Sequence, residues 1–114
     1  MPDSQAKYDV EFVEGEFGDV YDIVIKEDDG TLSDISWALY ALFEIVALDG
    51  TVKASVPNAE LTITSATSKV KWDMKSTRTS GYTGLHDGFV TLDNSLTPTR
   101  RRITKKIKVF VFDK

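Results

Sequence analysis

The sequence predicts an all-β domain, a sandwich of about seven to nine short strands. Three observations lead there. Apolar and polar residues alternate with a period of two in segment after segment. Turn-forming residues recur every eight to twelve positions, the spacing of a sandwich, and no exact internal repeat points to a propeller or solenoid. With 114 residues, of which 41% are hydrophobic, the chain can build one core, and two only if both are very small.

Residues 1–7 read as a loose N-terminal tail, and residues 8–114 as a single sandwich domain. The first strand signal is "YDVEFVE", where Tyr8, Val10 and Phe12 alternate with Asp9 and Glu11. Gly15 and Gly18 then loosen the backbone. "DVYDIVIKE" follows, with Val20, Asp22 and Val24 on one side and Tyr21, Ile23 and Ile25 on the other, closed by an Asp-Asp-Gly turn. In "DISWALYALFEIVALDG" the alternation of Trp37, Leu39, Ala41, Phe43 and Ile45 favours a long central strand. Its alanines, its leucines and a Ser33 or Ser36 cap keep a helix in competition. Asp49-Gly50-Thr51 leads on into Val52 and Val56 as a hairpin connection.

"ELTIT" and "KVKWDMK" are two more strands, the second with Val70, Trp72 and Met74 opposite Lys69, Lys71, Asp73 and Lys75. "STRTSGYTGLHDG" reads as an exposed loop before a strand "FVTLD", and Pro98 places "NSLTPTRRR" in another loop. The terminal "IKVFVF" sets Ile107, Val109 and Val111 against Phe110 and Phe112 and belongs in the sheet.

The function classes narrow by chemistry. Zero cysteines exclude disulfides, thiolate nucleophiles and cysteine-ligated zinc. No run of eighteen apolar residues is present, so no membrane insertion is expected, and "MPDSQAKYD" lacks the features of a secretory signal. Residues 1–60 carry fourteen Asp/Glu against three Lys/Arg, and residues 61–114 carry four against eleven. Such halves attract one another within a domain or attract complementary faces of neighbouring subunits.

Asp28, Asp29 and Asp34 offer hard oxygens for calcium but do not match the EF-hand pattern; a solvated turn explains them equally, and no metal or cofactor is expected. His86, the single histidine, has Asp87 beside it but no nucleophile-elbow sequence in the chain, so catalysis is not expected. The cluster Arg100, Arg101, Arg102, Lys105 and Lys106 suits phosphate, yet the chain is acidic overall and no aromatics interleave the arginines. Nucleic acid is therefore disfavoured, and an acidic protein surface fits better. Tyr82, with His86 nearby, could stack on a sugar, which keeps a carbohydrate- or surface-binding module as an alternative.

The order of these elements resembles a known family. "DISWALYALFEIVALDGTVK", "ELTITSATSKVKWDM", "SGYTGLHDGFVTLD" and "IKVFVF" together are similar to the immunoglobulin-like N-terminal domain of phage baseplate upper proteins and related tail and fibre proteins. Asp34, Ile35 and Ser36 stand in the first element of that pattern and Asp49, Gly50 and Thr51 in its turn. Val70 and Trp72 stand in its aromatic strand, and Gly81 and Tyr82 before its next strand. Trp37 replaces a small residue, and "NSLTPTRRRITKK" is longer and more basic than the pattern, so a capsid decoration or head–tail connector protein stays within the same reading.

The resemblance implies an immunoglobulin-like fold and a non-enzymatic structural role in the virion, after synthesis in the host cytoplasm. Its partners would be other virion proteins or copies of itself. Trp37, Leu39, Tyr40 and Phe43, from the segment that is apolar on both sides, are the expected interface, with Arg100, Arg101 and Arg102 as the basic contribution; deep burial of that segment inside one domain is the equal alternative.

Overall fold

A computed structural model of the chain describes residues 9–74, 82–104 and 107–113. The expected tail at 1–7, Tyr8, Lys75, Lys105 and Lys106, and the part of the expected loop at 76–88 that runs up to Gly81, lie outside the described residues. Among those described, nine strands form two sheets of an all-β sandwich. They are β1 (Val10–Val13), β2 (Val20–Val24), β3 (Tyr40–Val46), β4 (Val52–Val56), β5 (Leu61–Thr64), β6 (Lys69–Asp73), β7 (Gly84–Asp93), β8 (Arg101–Ile103) and β9 (Ile107–Phe112).

The larger sheet runs β1-β9-β7-β3-β4, with β8 also paired to β7; the smaller runs β2-β6-β5. All pairings are antiparallel except that of β1 with β9, where Val10 to Val13 lie alongside Val109 to Phe112 in parallel. β8 and β9 share one edge of β7. Between them the ladder shifts, and Thr104 bridges the break: its N–H donates to the Val90 carbonyl at 2.9 Å, and its hydroxyl accepts from the Val90 N–H at 3.0 Å.

The segment in which strand and helix competed is a strand, though it starts at Tyr40 rather than at Trp37. Asp34 explains the late start. Its carboxylate accepts the Ser36 N–H at 3.0 Å and the Ser36 hydroxyl at 2.7 Å. That local bonding holds residues 34–37 in a turn. From Ala41 onward the alternation works as read, with Ala41, Phe43 and Ile45 buried.

"GLHDG", expected as loop, is the first half of β7, paired on one edge with β3 and on the other with β9. Gly88 shows why a poor strand former sits in a central strand: a Cβ there would lie 2.9 Å from Phe43 Cε1 and 3.0 Å from Val109 Cγ2. Only a residue without a side chain lets the Phe43 ring cross that space.

The core is shared. Trp72, fully buried on β6, stands against Phe43 of the larger sheet with ring centroids 5.3 Å apart, against Phe12 at 5.8 Å and against Tyr21 at 5.4 Å. Tilted and edge-on aromatic packing of this kind adds to the burial free energy.

The two Asp-Gly-Thr segments adopt one geometry. Gly30 and Gly50 have φ of 89° and 94°. Asp29 and Asp49 accept the N–H groups of Thr31 and Thr51 at 3.0 and 2.9 Å, and the Thr31 and Thr51 carbonyls accept from Glu27 and Ala47 at 2.8 and 2.7 Å. Positive φ at glycine and an Asx bond closing the turn are what such corners require.

Candidate functional site

Most of the residues expected to carry function are engaged inside the fold. Phe43 is 0% exposed. It is core, and the expectation that it lies at an interface is corrected: its side chain fills the gap left by Gly88 and has no surface to offer. Trp37 is half-buried in the turn before β3, where its indole N–H donates to the Asp34 carbonyl at 3.0 Å. Leu39 is 65% exposed, and Tyr40 is half-buried at the head of β3.

The three arginines do not form a free basic patch. The Arg100 guanidinium lies 4.1 Å from the Trp37 ring centroid, a cation–π contact. Arg101 makes a two-point bond to Asp93, Nε to Oδ1 at 2.7 Å and Nη2 to Oδ2 at 3.0 Å, which holds the Asp93 carboxyl below its usual range. Arg102 reaches across to the β2–β3 connection. It donates to Glu27 Oε2 at 2.9 Å, to the Ser33 hydroxyl and, at 3.3 Å, to the Lys26 carbonyl. Ser33 donates to the same Glu27 oxygen, and these bonds, first that of Ser33 and then that of Arg102, lower the Glu27 pKa.

The charge asymmetry of the two halves is therefore used partly within the domain. Arg102–Glu27 and Lys69–Asp22 each join a base of the second half to an acid of the first.

His86, expected in a loop, is buried on the inner face of β7. Its Nδ1 lies 2.9 Å from the Gly84 carbonyl, which accepts the bond, and the Tyr82 ring meets it edge-on at 4.9 Å. Strand alternation puts Asp87 on the opposite face, so the sequence neighbours cannot act on one another. Tyr82 packs against the core, and burial pushes its hydroxyl up to about 12.

Asp29 and Asp34 are exposed and are held below the usual carboxylate range by Thr31 and Ser36 respectively. Among the described residues, no group of three or more His, Asp or Glu side chains is placed to hold a metal ion. No helix among them is long and apolar enough to cross a membrane.

What sequence reasoning missed is a surface. The outward positions of the larger sheet follow from its register and are mixed: Val13, Phe110, Phe112, Leu85, Phe89, Ile103, Tyr40, Leu42 and Val46 alternate with Glu11, Lys108, Asp87, Thr91, Asp93, Arg101, Glu44 and Ser55. Ile103 is 60% and Phe112 42% exposed, and the Phe110 and Phe112 rings lie 4.7 Å apart. The signal was present in "KVFVF", where both phases of the alternation are apolar. A strand that is apolar on both faces is either enclosed or covered.

No protein-family model matches the chain, and no curated protein matches it. Among solved structures the chain is similar to CopC from Methylosinus trichosporium OB3b, at 8% sequence identity and a TM-score of 0.45, over 94% of this chain and 86% of that one. Neither result bears on the tail and baseplate proteins that the sequence motifs resemble.

Proposed function

We propose that this chain is a non-enzymatic structural module with an immunoglobulin-like sandwich, and that it works through protein–protein contact. The observation that carries the reading is the contrast between its polar and apolar surfaces. Its candidate chemical groups, Arg101, Arg102, Asp29, Asp34 and His86, are spent on turns, layer-to-layer bonds and core, while the outer face of the larger sheet carries a broad set of apolar side chains. Exposed apolar side chains gathered on one sheet face, here Val13, Leu85, Ile103 and Phe112, are a feature of interaction surfaces. The immunoglobulin-like part is supported by the strand order, with three strands facing a larger sheet whose first and last strands pair in parallel.

In the setting implied by the motif resemblance, the module belongs to a phage tail or baseplate and joins neighbouring virion subunits. Quantitative mass spectrometry of purified particles from cells that make the chain tests this setting. The chain is expected at a fixed copy number matching a particle symmetry; particles that lack it overturn the virion reading.

A further inference from the structure

We infer that the open edge of β5 takes up an extended, uncharged segment of a partner protein as an additional strand of the smaller sheet. This contact lies apart from the outer face of the larger sheet, on which the reading of the protein as a contact module rests, and goes beyond it.

The register shows which main-chain groups that edge offers. The Ile25 N–H donates to the Ser68 carbonyl at 2.8 Å and the Met74 N–H to the Asp19 carbonyl at 3.1 Å, both in line with the β2–β6 register. Bonded pairs alternate with unbonded ones along an antiparallel ladder, so Val70 and Trp72 turn their main chain to β2, and Lys69 and Lys71 turn theirs to β5. Thr62 and Thr64, opposite Lys71 and Lys69, are thereby bonded within the sheet. Leu61 and Ile63 point the other way. The Asn58 carbonyl accepts the Leu61 N–H, which leaves the Leu61 carbonyl and both main-chain groups of Ile63 with no main-chain partner among the described residues. Groups spaced in this way are what an added strand pairs with.

β5 is also the unguarded edge. Sheet edges are kept from pairing by charged side chains, proline or cover. The other strands with an open side each carry a charge: Glu11 on β1, Asp22 on β2, Lys53 on β4 and Arg102 on β8. β5 reads Leu-Thr-Ile-Thr, with neither charge nor proline. At the start of β3, which β4 leaves unpaired up to Phe43, the Asn58 side chain accepts the Ala41 N–H at 3.0 Å. There a side chain closes the edge; on β5 none does among the described residues.

A cleft of about 360 Å³ runs along the same edge, with Ser36, Ala38 and Leu39 on one side and Asn58, Leu61 and Ile63 on the other. Its volume is that of a ligand-sized site, and no residue lining it is charged. A charge carried into it would be left unpaired, which is costly. The segment that fits is therefore extended and uncharged, with alternate apolar side chains turned toward Leu39, Leu61 and Ile63. Leu39, 65% exposed, supplies the apolar rim.

Amide hydrogen exchange of the full chain, followed by NMR, is the test, with a short capped peptide of alternating valine and threonine as the probe. At saturating peptide the Ile63 N–H is expected to exchange at least about tenfold more slowly, and the Val24 N–H, on the charged β2 edge, at its former rate. The same peptide N-methylated at alternate amides should give no protection, and one of alternating valine and glutamate should bind at least about tenfold more weakly. Leu39→Glu, a change at an exposed side chain on the far side of the cleft, should weaken the parent peptide likewise.

An Ile63 N–H unprotected at every peptide concentration, an N-methylated peptide as good as its parent, or a Leu39→Glu variant that binds unchanged overturns the inference. Ile63 protection that grows with protein concentration alone identifies a second copy as the added strand and overturns the partner named here. The copy number in particles tests the module reading separately, so either can fail without the other.

Discussion

The smaller and the larger sheet share one core and differ in the surface they turn outward. On β6 the division is clean: Val70 and Trp72 go in, while Lys69, Lys71 and Asp73 go out. On β9 Ile107, Val109 and Val111 go inward, and the outward phase runs from Lys108 to the two aromatics Phe110 and Phe112. A water-facing sheet needs no aromatic exterior, and an exposed, flat apolar face invites uncontrolled association. The difference teaches that inward residues report on folding and outward ones on use, and that the two kinds of information separate cleanly here by sheet.

The largest effect is expected where the sheets meet. Trp72→Ala removes the ring that links Phe12, Tyr21 and Phe43, and the lost contacts plus the cavity should cost about 3–5 kcal/mol in a urea melt. A cost under about 1 kcal/mol would mean that the two layers do not depend on a common core.

Next comes the seat of Phe43 in the larger sheet. Gly88→Ala forces a methyl against Phe43 and Val109 and should destabilise by about 1–3 kcal/mol; a neutral result would show that the ring has another place to go. The corner between β3 and β4 follows. Gly50→Ala puts a side chain at positive φ, at a cost of about 1 kcal/mol. Gly30→Ala should match it, since the β2–β3 connection uses the same turn, and unequal costs would break the equivalence.

The smallest effect is electrostatic and spread over the exposed carboxylates. Glu27, Asp29, Asp34, Asp49 and Asp93 all have pKa values lowered by hydrogen bonds made in the folded state. A folded pKa below the unfolded one stabilises at pH values above the unfolded pKa, and that stabilisation is lost as pH falls through the folded pKa. The urea midpoint should therefore hold steady from neutral pH down to about 5 and decline below about 4. Asp49→Asn should make the decline shallower; an unchanged slope would remove the Asx turn as a contributor.

Much of the layer structure was legible in the sequence because period-two alternation reports burial directly. The sides read off "DVYDIVIKE" and "KVKWDMK" sort as burial does: Ile23 on β2 and Val70 and Trp72 on β6 are buried, and so are Ile25 and Met74 just beyond the two strands. β7 was legible only in its second half, since Gly84 and Gly88 lower local strand preference and what keeps them in the sheet is pairing with β3 and β9, both distant in sequence.

The arginine cluster misled for the same reason. Read locally, "TRRR" is a basic patch, yet the partner of Arg102 is Glu27, 75 positions away. The candidate surface lay in plain view in "KVFVF", but periodicity registers that both faces are apolar without saying which one a neighbour covers.

The parallel pairing of β1 and β9 has a mechanical meaning. Its rungs run from Val10 beside Val109 to Val13 beside Phe112 and are extended by bonds from Asp9 to the Lys108 carbonyl and from Glu14 to the Phe112 carbonyl. Tension applied through the chain on the N-terminal side of β1 and the C-terminal side of β9 pulls the two strands along their length in opposite directions. The rungs are then loaded together in shear rather than opened one after another, so a pull through the backbone meets the domain at its toughest seam.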